Sequence, residues 1–177
     1  EIKYLLDLFK NSVELIKKEK QDVQFVFSKA VNLPKDIFKE KLDGYKIIEG
    51  ENRELLSVAD ALILASGTVA LEAAFYKTPM IIAYRGPFIF YLIYLLVRSI
   101  KKACLVNIIT GKDIVPEFLM YKAKADKISK TILDLLNDGE MRNKQIQGLN
   151  EAIELLGDKH CVEEVAKILD KELIENG

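Results

Sequence analysis

Apolar residues along this chain of 177 residues alternate between helical and strand-like patterns. The first 19 residues carry apolar positions every three or four residues, which is the spacing of an amphipathic helix. Five short apolar runs predict strands at 23–27, 45–49, 62–65, 80–84 and 103–106. Further helices are predicted at 34–42, 53–58, 68–76, 86–97 and 114–119. Residues 126–175 are predicted to be helical, with breaks near 137–139 and 156–158.

Strands that alternate with helices indicate an α/β fold with a doubly wound parallel sheet. We therefore expect a Rossmann-like domain over residues 1–137, followed by C-terminal helices over 138–177. These helices are expected to pack on that domain, on an N-terminal domain outside this chain, or on a partner subunit. The first helical pattern has no capping residue before it, and we interpret the chain as the C-terminal part of a longer protein.

Composition and charge exclude several classes of function. Half of the residues are hydrophobic and 30% are charged, as in a globular domain. The net charge is −1, so we expect no nucleic acid partner. Cys104, Cys161 and the one histidine, His160, lack the spacing of a disulfide framework or a zinc site. We expect neither a metal nor a cofactor.

A turn of small residues joins the strand predicted at 62–65 to the next helix, and it consists of Ser66, Gly67 and Thr68. The start of a helix favours a phosphate group through its N–H groups and its dipole. Glu72 follows one turn later and suits the hydroxyls of a ribose. The alternative is a capped helix with a solvated glutamate. The chain has no Gly-x-Gly-x-x-Gly motif and no Walker loop, which argues against NAD and ATP.

Two further polar residues follow predicted strands and so belong to the same edge of the sheet. Arg85 follows the strand at 80–84, and it either pairs with a phosphate or is a surface charge. Asn107 follows the strand at 103–106, and it either bonds a ligand or caps the next turn. We expect both residues to share one crevice with the turn at 66–68.

Residues 88–97 form ten consecutive apolar or aromatic positions, too few to span a bilayer. Three interpretations stand: a buried helix, a face for a lipid substrate or the membrane surface, and a subunit interface. The membrane interpretation assigns lipid contacts to Phe88, Phe90, Tyr91, Tyr94, Arg98, Lys101 and Lys102.

The chain resembles the C-terminal half of bacterial lipid-A-disaccharide synthases in two stretches, ADALILASGTVALEAAFYKTPMIIAYRGPFIFYLIYLLV and CLVNIITGKDIVPEFL. The shared motifs are Ser-Gly-Thr-x-x-Leu-Glu, Thr-Pro-Met, Tyr-Arg-x-x-Phe and an asparagine at a strand tip, in that order. The resemblance is close over 50–137. Two features depart from the family pattern: the Gly-Ser-Arg loop before the first helix is absent, and Leu105-Val106-Asn107 replaces Leu-Pro-Asn.

This resemblance implies one domain of a GT-B-type glycosyltransferase, in which two Rossmann-like domains face one cleft. Such enzymes transfer 2,3-diacylglucosamine from its UDP form to 2,3-diacylglucosamine 1-phosphate. The domain would hold UDP, with residues 66–68 at the diphosphate, Glu72 at the ribose, and Arg85 and Asn107 nearby. The resemblance implies no bound metal. It also implies that the catalytic residues lie in the N-terminal half, so the chain alone would be inactive.

The resemblance further implies a cytoplasmic protein that is peripheral on the inner face of the inner membrane. Its substrates would be UDP-diacylglucosamine and an acylated glucosamine phosphate. The apolar positions at 162–173 need a partner surface, so a homodimer is also expected. Two alternatives remain: another UDP-sugar enzyme, such as a UDP-N-acetylglucosamine 2-epimerase or another lipid-linked glycosyltransferase, and a non-catalytic nucleotide-binding or membrane-adaptor domain.

Overall fold

The computed structural model describes residues 2–65, 67–86 and 102–157. The strands within these ranges are β1 (Val26–Lys29), β2 (Lys46–Glu49), β3 (Leu62–Leu64), β4 (Met80–Tyr84) and β5 (Glu117–Leu119). The helices are α1 (Ile2–Glu19), α2 (Lys35–Lys41), α3 (Asn52–Val58), α4 (Gly67–Phe75), α5 (Leu105–Thr110), α6 (Ala125–Leu136) and α7 (Glu140–Leu156). A 3₁₀ turn at Met120–Lys122 follows β5.

The described strands form two parallel sheets. β1 pairs with β2, so that Val26 lies opposite Lys46. β4 is the central strand of the other sheet and pairs with β3 on one side and β5 on the other. Parallel neighbours need a crossover, which α2 supplies between β1 and β2 and α4 supplies between β3 and β4. The α/β class and the parallel strands predicted from the sequence are confirmed.

Strand β4 is buried on both faces, and its side chains alternate between two cores. Met80 and Ile82 pack with residues of α4, α5 and α7. Ile81 and Ala83 pack with residues of α1 and α6. This alternation follows from the two-residue period of a strand. Helices therefore cover both faces of the sheet, as in a doubly wound Rossmann-like domain.

A third core surrounds β1. Leu6 of α1 and Phe38 of α2 both pack in the core around Phe27 of β1, so the two helices lie on the same face of that strand. Two other residues of α1, Leu8 and Ile16, pack in the core beneath β4. Helix α1 therefore contacts both sheets.

The segment 103–106, predicted as a strand, is instead the start of a helix. Helix α5 begins at Leu105 after Cys104, and the fifth strand is β5, inside the segment 114–119 that was predicted as a helix. Both predictions are wrong because a short apolar run fits either structure. Tertiary pairing decides between them, since Ile82 of β4 lies opposite Glu117 in the parallel register.

The helices predicted after residue 126 are confirmed as far as residue 156. Helices α6 and α7 are separated at 137–139, where the sequence predicts a break. Helix α7 packs on the core that α4 and α5 share, through Leu149 and Ala152. The helical pattern predicted for 158–175 lies outside the described residues. In the ranges that the structure describes, no helix is long and apolar enough to cross a membrane.

Candidate functional site

The candidate site lies at the carboxyl ends of β3 and β4, the edge where parallel α/β sheets bind ligands. Strand β3 ends at Leu64, and helix α4 begins three residues later at Gly67. Thr68 and Glu72 are exposed and lie one turn apart on α4, and Arg85 is exposed directly after β4. Ser66, the first residue of the predicted turn, lies outside the described residues.

Gly67 packs against the backbone of the segment that leads into α5. A Cβ atom added at Gly67 would overlap the carbonyl oxygen of Ala103 and would lie 3.4 Å from the Cα atom of Cys104. A side chain therefore has no room at this position. The contact holds the start of α4 beside the segment at 103–104, so the turn after β3 and the start of α5 form one surface.

Glu117, which the sequence analysis did not single out, joins three parts of this surface. Its carboxylate accepts hydrogen bonds from the N–H groups of Ala103 at 2.8 Å and Cys104 at 3.1 Å. It also accepts one from Nδ2 of Asn107 at 2.8 Å. The signal in the sequence is weak but present, because Glu117 is the one charged residue in the apolar stretch 114–119.

Asn107 is buried, with 1% of its surface exposed, and its side chain is fully hydrogen-bonded within the chain. Its Oδ1 accepts from the N–H groups of Ile114 at 2.9 Å and Val115 at 2.8 Å. Its Nδ2 donates to the carbonyl of Val115 at 2.7 Å as well as to Glu117. An amide has two donors and two acceptor sites, so in this conformation Asn107 shapes the loop between α5 and β5.

An open groove of about 300 Å³ runs beside this network. It is lined by Asn107, Asp113, Val115, Pro116, Glu117, Leu119 and Lys122. The volume is at the lower end of the range of small-molecule sites. The polar lining comes from α5, the α5–β5 loop, β5 and the 3₁₀ turn after it, so the loop that Asn107 shapes forms part of the wall of the groove.

Helix α7 supports the same loop from below. Gln145 is buried; its side chain accepts from the N–H of Met80 at 2.8 Å and donates to the carbonyls of Met80 at 2.9 Å and Ile114 at 3.2 Å. A Cβ atom added at Gly148, one turn later, would lie 2.6 Å from Cγ2 of Ile114. The close approach that glycine permits fixes the loop against α7 and β4.

Lys102, the last of the predicted lipid-contacting residues, has partners within the chain. Its Nζ donates to the carbonyl of Gly111 at 2.8 Å and pairs with the carboxylate of Asp113 at 3.1 Å. The pair ties the segment before α5 to the loop after it. The other predicted contacts lie outside the described residues: Phe88, Phe90, Tyr91, Tyr94, Arg98 and Lys101.

The thiol of Cys104, which is buried beside the site, is a packing group. Burial raises the pKa of the Cys104 thiol, an effect that the N–H groups of Asn107 and Val106 partly oppose. Because the thiolate is the reactive form, a buried thiol with a raised pKa is a poor nucleophile. Within the described ranges, no group of three or more His, Cys, Asp or Glu side chains is placed to hold a metal ion.

Taken together, a parallel sheet covered on both faces and a helix that starts at its carboxyl edge define a Rossmann-like α/β domain of the kind found in glycosyltransferases. Comparison with known families shows which family the chain belongs to. The family model of lipid-A-disaccharide synthetase matches residues 1–170, and the chain belongs to that family.

Curated relatives carry the same description. The chain is 35% identical to a lipid-A-disaccharide synthase of Methylobacillus flagellatus, over 78% of this chain and 38% of that protein. It is 31% identical to the lipid-A-disaccharide synthase of Rickettsia prowazekii, over 86% of this chain and 41% of that protein. Lipid-A-disaccharide synthase 2 of Legionella pneumophila is 30% identical, over 91% of this chain and 41% of that protein. The chain thus spans about two fifths of the length of these relatives, and the alternative functions are not favoured.

Proposed function

We propose that the chain is the UDP-sugar-binding half of a lipid-A-disaccharide synthase. The complete enzyme would transfer 2,3-diacylglucosamine from its UDP form to 2,3-diacylglucosamine 1-phosphate, releasing UDP. The observation that carries the proposal is the start of α4 in a chain of this family. There a helix of nine residues begins at the carboxyl edge of the sheet with a glycine packed on the backbone of Ala103.

The dipole of α4 is suited to the diphosphate of UDP. A helix N-terminus carries a partial positive charge that stabilises an anion within the first turn. In the proposal, residues 66–68 approach the diphosphate, and the guanidinium of Arg85 adds a full charge at the same edge. The charge that develops on the leaving UDP would then be stabilised by fixed dipoles and side chains. No step requires a bound metal.

Two acidic residues have different roles in the proposal. Glu72 is exposed on α4, one turn beyond Thr68, where its carboxylate suits the ribose hydroxyls. Glu117 has its carboxylate engaged by three donors and holds the surface together. Asn107, with all four hydrogen-bonding positions in use, would position the groove wall without contacting the nucleotide through its side chain.

The wider assignments follow from the family and are proposals too. We infer that the acceptor site and the catalytic base belong to the part of the enzyme outside this chain. The complete enzyme would work on acylated sugars as a peripheral protein at the cytoplasmic face of the inner membrane, with residues 88–101 near the lipid. Lys102, which also pairs with Asp113, belongs to the same proposed contact. A homodimer remains part of the proposal.

Calorimetric titration of the chain with UDP tests the nucleotide site, and separate titrations with UMP and NAD serve as controls. We expect UDP to bind more tightly than UMP, because the diphosphate meets the α4 dipole, and NAD not to bind. Glu72→Ala should weaken UDP binding by about tenfold or more, the effect of losing hydrogen bonds between a charged group and the ribose.

Glu40→Ala is the matched control. Glu40 is an exposed glutamate in the last turn of α2, next to the amino end of β2 and therefore at the opposite edge of the sheet. We expect the Glu40→Ala variant to bind UDP with the affinity of the parent chain. Folded protein that gives no heat with UDP, or equal weakening in both variants, would count against a nucleotide site at α4.

A further inference from the structure

A single peptide group lies between the start of α4 and the side chain of Glu117. It joins Ala103 to Cys104. On one side, its carbonyl oxygen packs so closely on Gly67 that a Cβ atom there would overlap it. On the other side, its N–H, the amide of Cys104, donates to Oε1 of Glu117 at 3.1 Å. The C=O and N–H of a trans peptide point in opposite directions. Gly67 and Glu117 therefore hold this peptide group from its two sides.

Glu117 holds the preceding peptide group as well. Its Oε2 accepts from the N–H of Ala103 at 2.8 Å, so the two carboxylate oxygens engage two successive N–H groups. Hydrogen bonds to an ionised carboxylate are about twice as strong as those between neutral groups. Two of them fix both the position and the tilt of the Ala103–Cys104 peptide. Because Glu117 is the first residue of β5 and lies opposite Ile82 of β4, this peptide is tied to the sheet itself.

The carboxylate of Glu117 is in turn oriented by Asn107. Nδ2 of Asn107 donates to Oε1 of Glu117 at 2.8 Å. Oδ1 of the same amide accepts from the N–H groups of Ile114 and Val115, so the amide is held at both of its polar atoms. The carboxylate therefore points at the Ala103–Cys104 peptide without help from a ligand. Groups that are fixed in this way before an anion binds need no rearrangement when it arrives.

The peptide group contacts α4 at its first residue, Gly67. The N–H groups in the first turn of any helix have no partner within that helix, and they are the groups that bind an anion. Their direction follows the direction of the first turn. Charge-assisted hydrogen bonds from N–H groups to an anion are short, about 2.7–2.9 Å. A small shift at Gly67 therefore changes how well a phosphate group fits.

We propose that Glu117 is a positioning residue for the diphosphate of the sugar donor. It acts through the Ala103–Cys104 peptide, which sets the start of α4, and it touches neither the nucleotide nor the sugar. The inference rests on the proposed function, because it takes the start of α4 as the diphosphate site. Its expected effect is opposite in sign to simple repulsion. A carboxylate that only repelled the diphosphate would weaken UDP binding, whereas a positioning carboxylate strengthens it.

Glu117→Gln tests this inference by calorimetric titration with UDP and with UMP. An amide has one oxygen, so its NH₂ group must face a backbone N–H that the carboxylate now accepts from. We expect the ratio of UDP affinity to UMP affinity to fall by about fivefold or more, the effect of about one lost hydrogen bond to a charged group. A substitution that only destabilises the fold would leave this ratio unchanged. An unchanged ratio, or tighter binding of UDP, would overturn the inference.

Arg142→Met is the matched control, because it also releases two backbone groups. Nη1 of Arg142 donates to the carbonyls of Asp60 at 2.8 Å and Leu135 at 2.9 Å. Asp60 precedes β3, so these bonds lie at the amino edge of the sheet, away from the start of α4. We expect Arg142→Met to lower the urea midpoint of unfolding and to keep the parent ratio of UDP to UMP affinity. A ratio that falls equally in Arg142→Met and Glu117→Gln would overturn the inference.

Hydrogen–deuterium exchange without nucleotide separates this inference from the proposed function. If the parent chain binds no UDP, the proposed function fails, and exchange still decides whether Glu117 positions the start of α4. The N–H of Leu71 bonds to the carbonyl of Gly67 in a helix that begins there. We expect exchange of the Leu71 amide to accelerate in Glu117→Gln by about fivefold relative to that of Ile16 in α1. Exchange of Leu71 at the parent rate would overturn the inference.

Glu117→Asp replaces Glu117→Gln in both measurements if the glutamine variant does not fold. The aspartate keeps the charge but retracts the carboxylate by one methylene group, away from the N–H groups of Ala103 and Cys104. We expect the same direction of change in the affinity ratio and in the exchange of Leu71. Parent values for both in folded Glu117→Asp would contradict the proposal, because the charge alone would then be sufficient.

Discussion

Gly67 is a position in the candidate site that has no room for a side chain. Gly67→Ala places a Cβ atom on the carbonyl oxygen of Ala103, and overpacking of this kind costs about 1–3 kcal/mol. We expect a lower free energy of unfolding in urea and weaker UDP binding, because the start of α4 must move.

Gly139→Ala is the control for this substitution. A Cβ atom at Gly139 would meet nothing within 4 Å, and the backbone φ of −110° suits any residue. We expect this variant to lose much less free energy of unfolding than Gly67→Ala and to keep the UDP affinity of the parent. Equal losses for the two variants would show that the contact with Ala103 is not what requires glycine.

Asn107 provides a second test at the residue scale, with a pH dependence. Asn107→Asp places an acidic oxygen where Nδ2 now lies, 2.8 Å from the carboxylate of Glu117. Like charges at this distance raise the pKa of one carboxyl above its ordinary value. We expect the free energy of unfolding to fall by about 2–4 kcal/mol at pH 7. The loss should shrink as the pH falls through the raised pKa, because the protonated pair restores a donor.

Urea unfolding of the Asn107→Asp variant from pH 4 to pH 8 would measure this dependence. Asn143→Asp, at an exposed position on α7, is the control and should follow the parent at every pH. A loss for Asn107→Asp that does not vary with pH would contradict a direct interaction with Glu117.

At the scale of elements, the sequence predicts what depends on local pattern and misses what depends on distant partners. The amphipathic face of α1 and the buried run of β4 are visible in the sequence because each has its own period. The structures of α5 and β5 are not visible in the sequence, because they depend on contacts between distant residues. Glu117 of β5, for example, accepts hydrogen bonds from residues 10 to 14 positions earlier in the chain. For the same reason, the sequence offers Asn107 either as a ligand-binding residue or as a cap for the next turn, but it does not identify Val115 and Glu117 as its partners.

The ends of β1 and β2 are joined by a carboxylate between two lysines. Hydrogen bonds from Lys35 and Lys29 hold the pKa of the Glu49 carboxyl below its ordinary value, at distances of 3.1 and 3.2 Å. The side chain of Lys29 is only 3% exposed. Glu49→Gln therefore leaves a buried ammonium group without its charged partner, which is costly.

We expect Glu49→Gln to lose more stability than Glu140→Gln. Lys144 likewise lowers the pKa of Glu140, but both side chains of that pair are exposed. In the parent, the contribution of Glu49 is present above the unfolded pKa of a glutamate and is lost as the pH falls through its lower folded pKa. Urea unfolding between pH 3 and pH 7 should show the two variants converging at low pH, and equal losses at pH 7 would contradict the argument.

For the whole molecule, the length of the relatives sets an expectation about activity. The chain matches about two fifths of their length, and the proposed acceptor site belongs to the remainder. Supplied with UDP-diacylglucosamine and diacylglucosamine 1-phosphate, the chain should release no UDP above background. The Methylobacillus flagellatus enzyme is the positive control. UDP release by the chain alone would place the catalytic base within these residues.

Strand β5 holds both ends of the segment between Gly86 and Lys102. It pairs with β4, which ends at Tyr84, and its Glu117 holds the N–H of Ala103. The described residues therefore fix where the chain leaves the sheet after β4 and where it rejoins the domain before α5. Removing the carboxylate, as in Glu117→Gln, should loosen that second point while leaving the end of β4 in place.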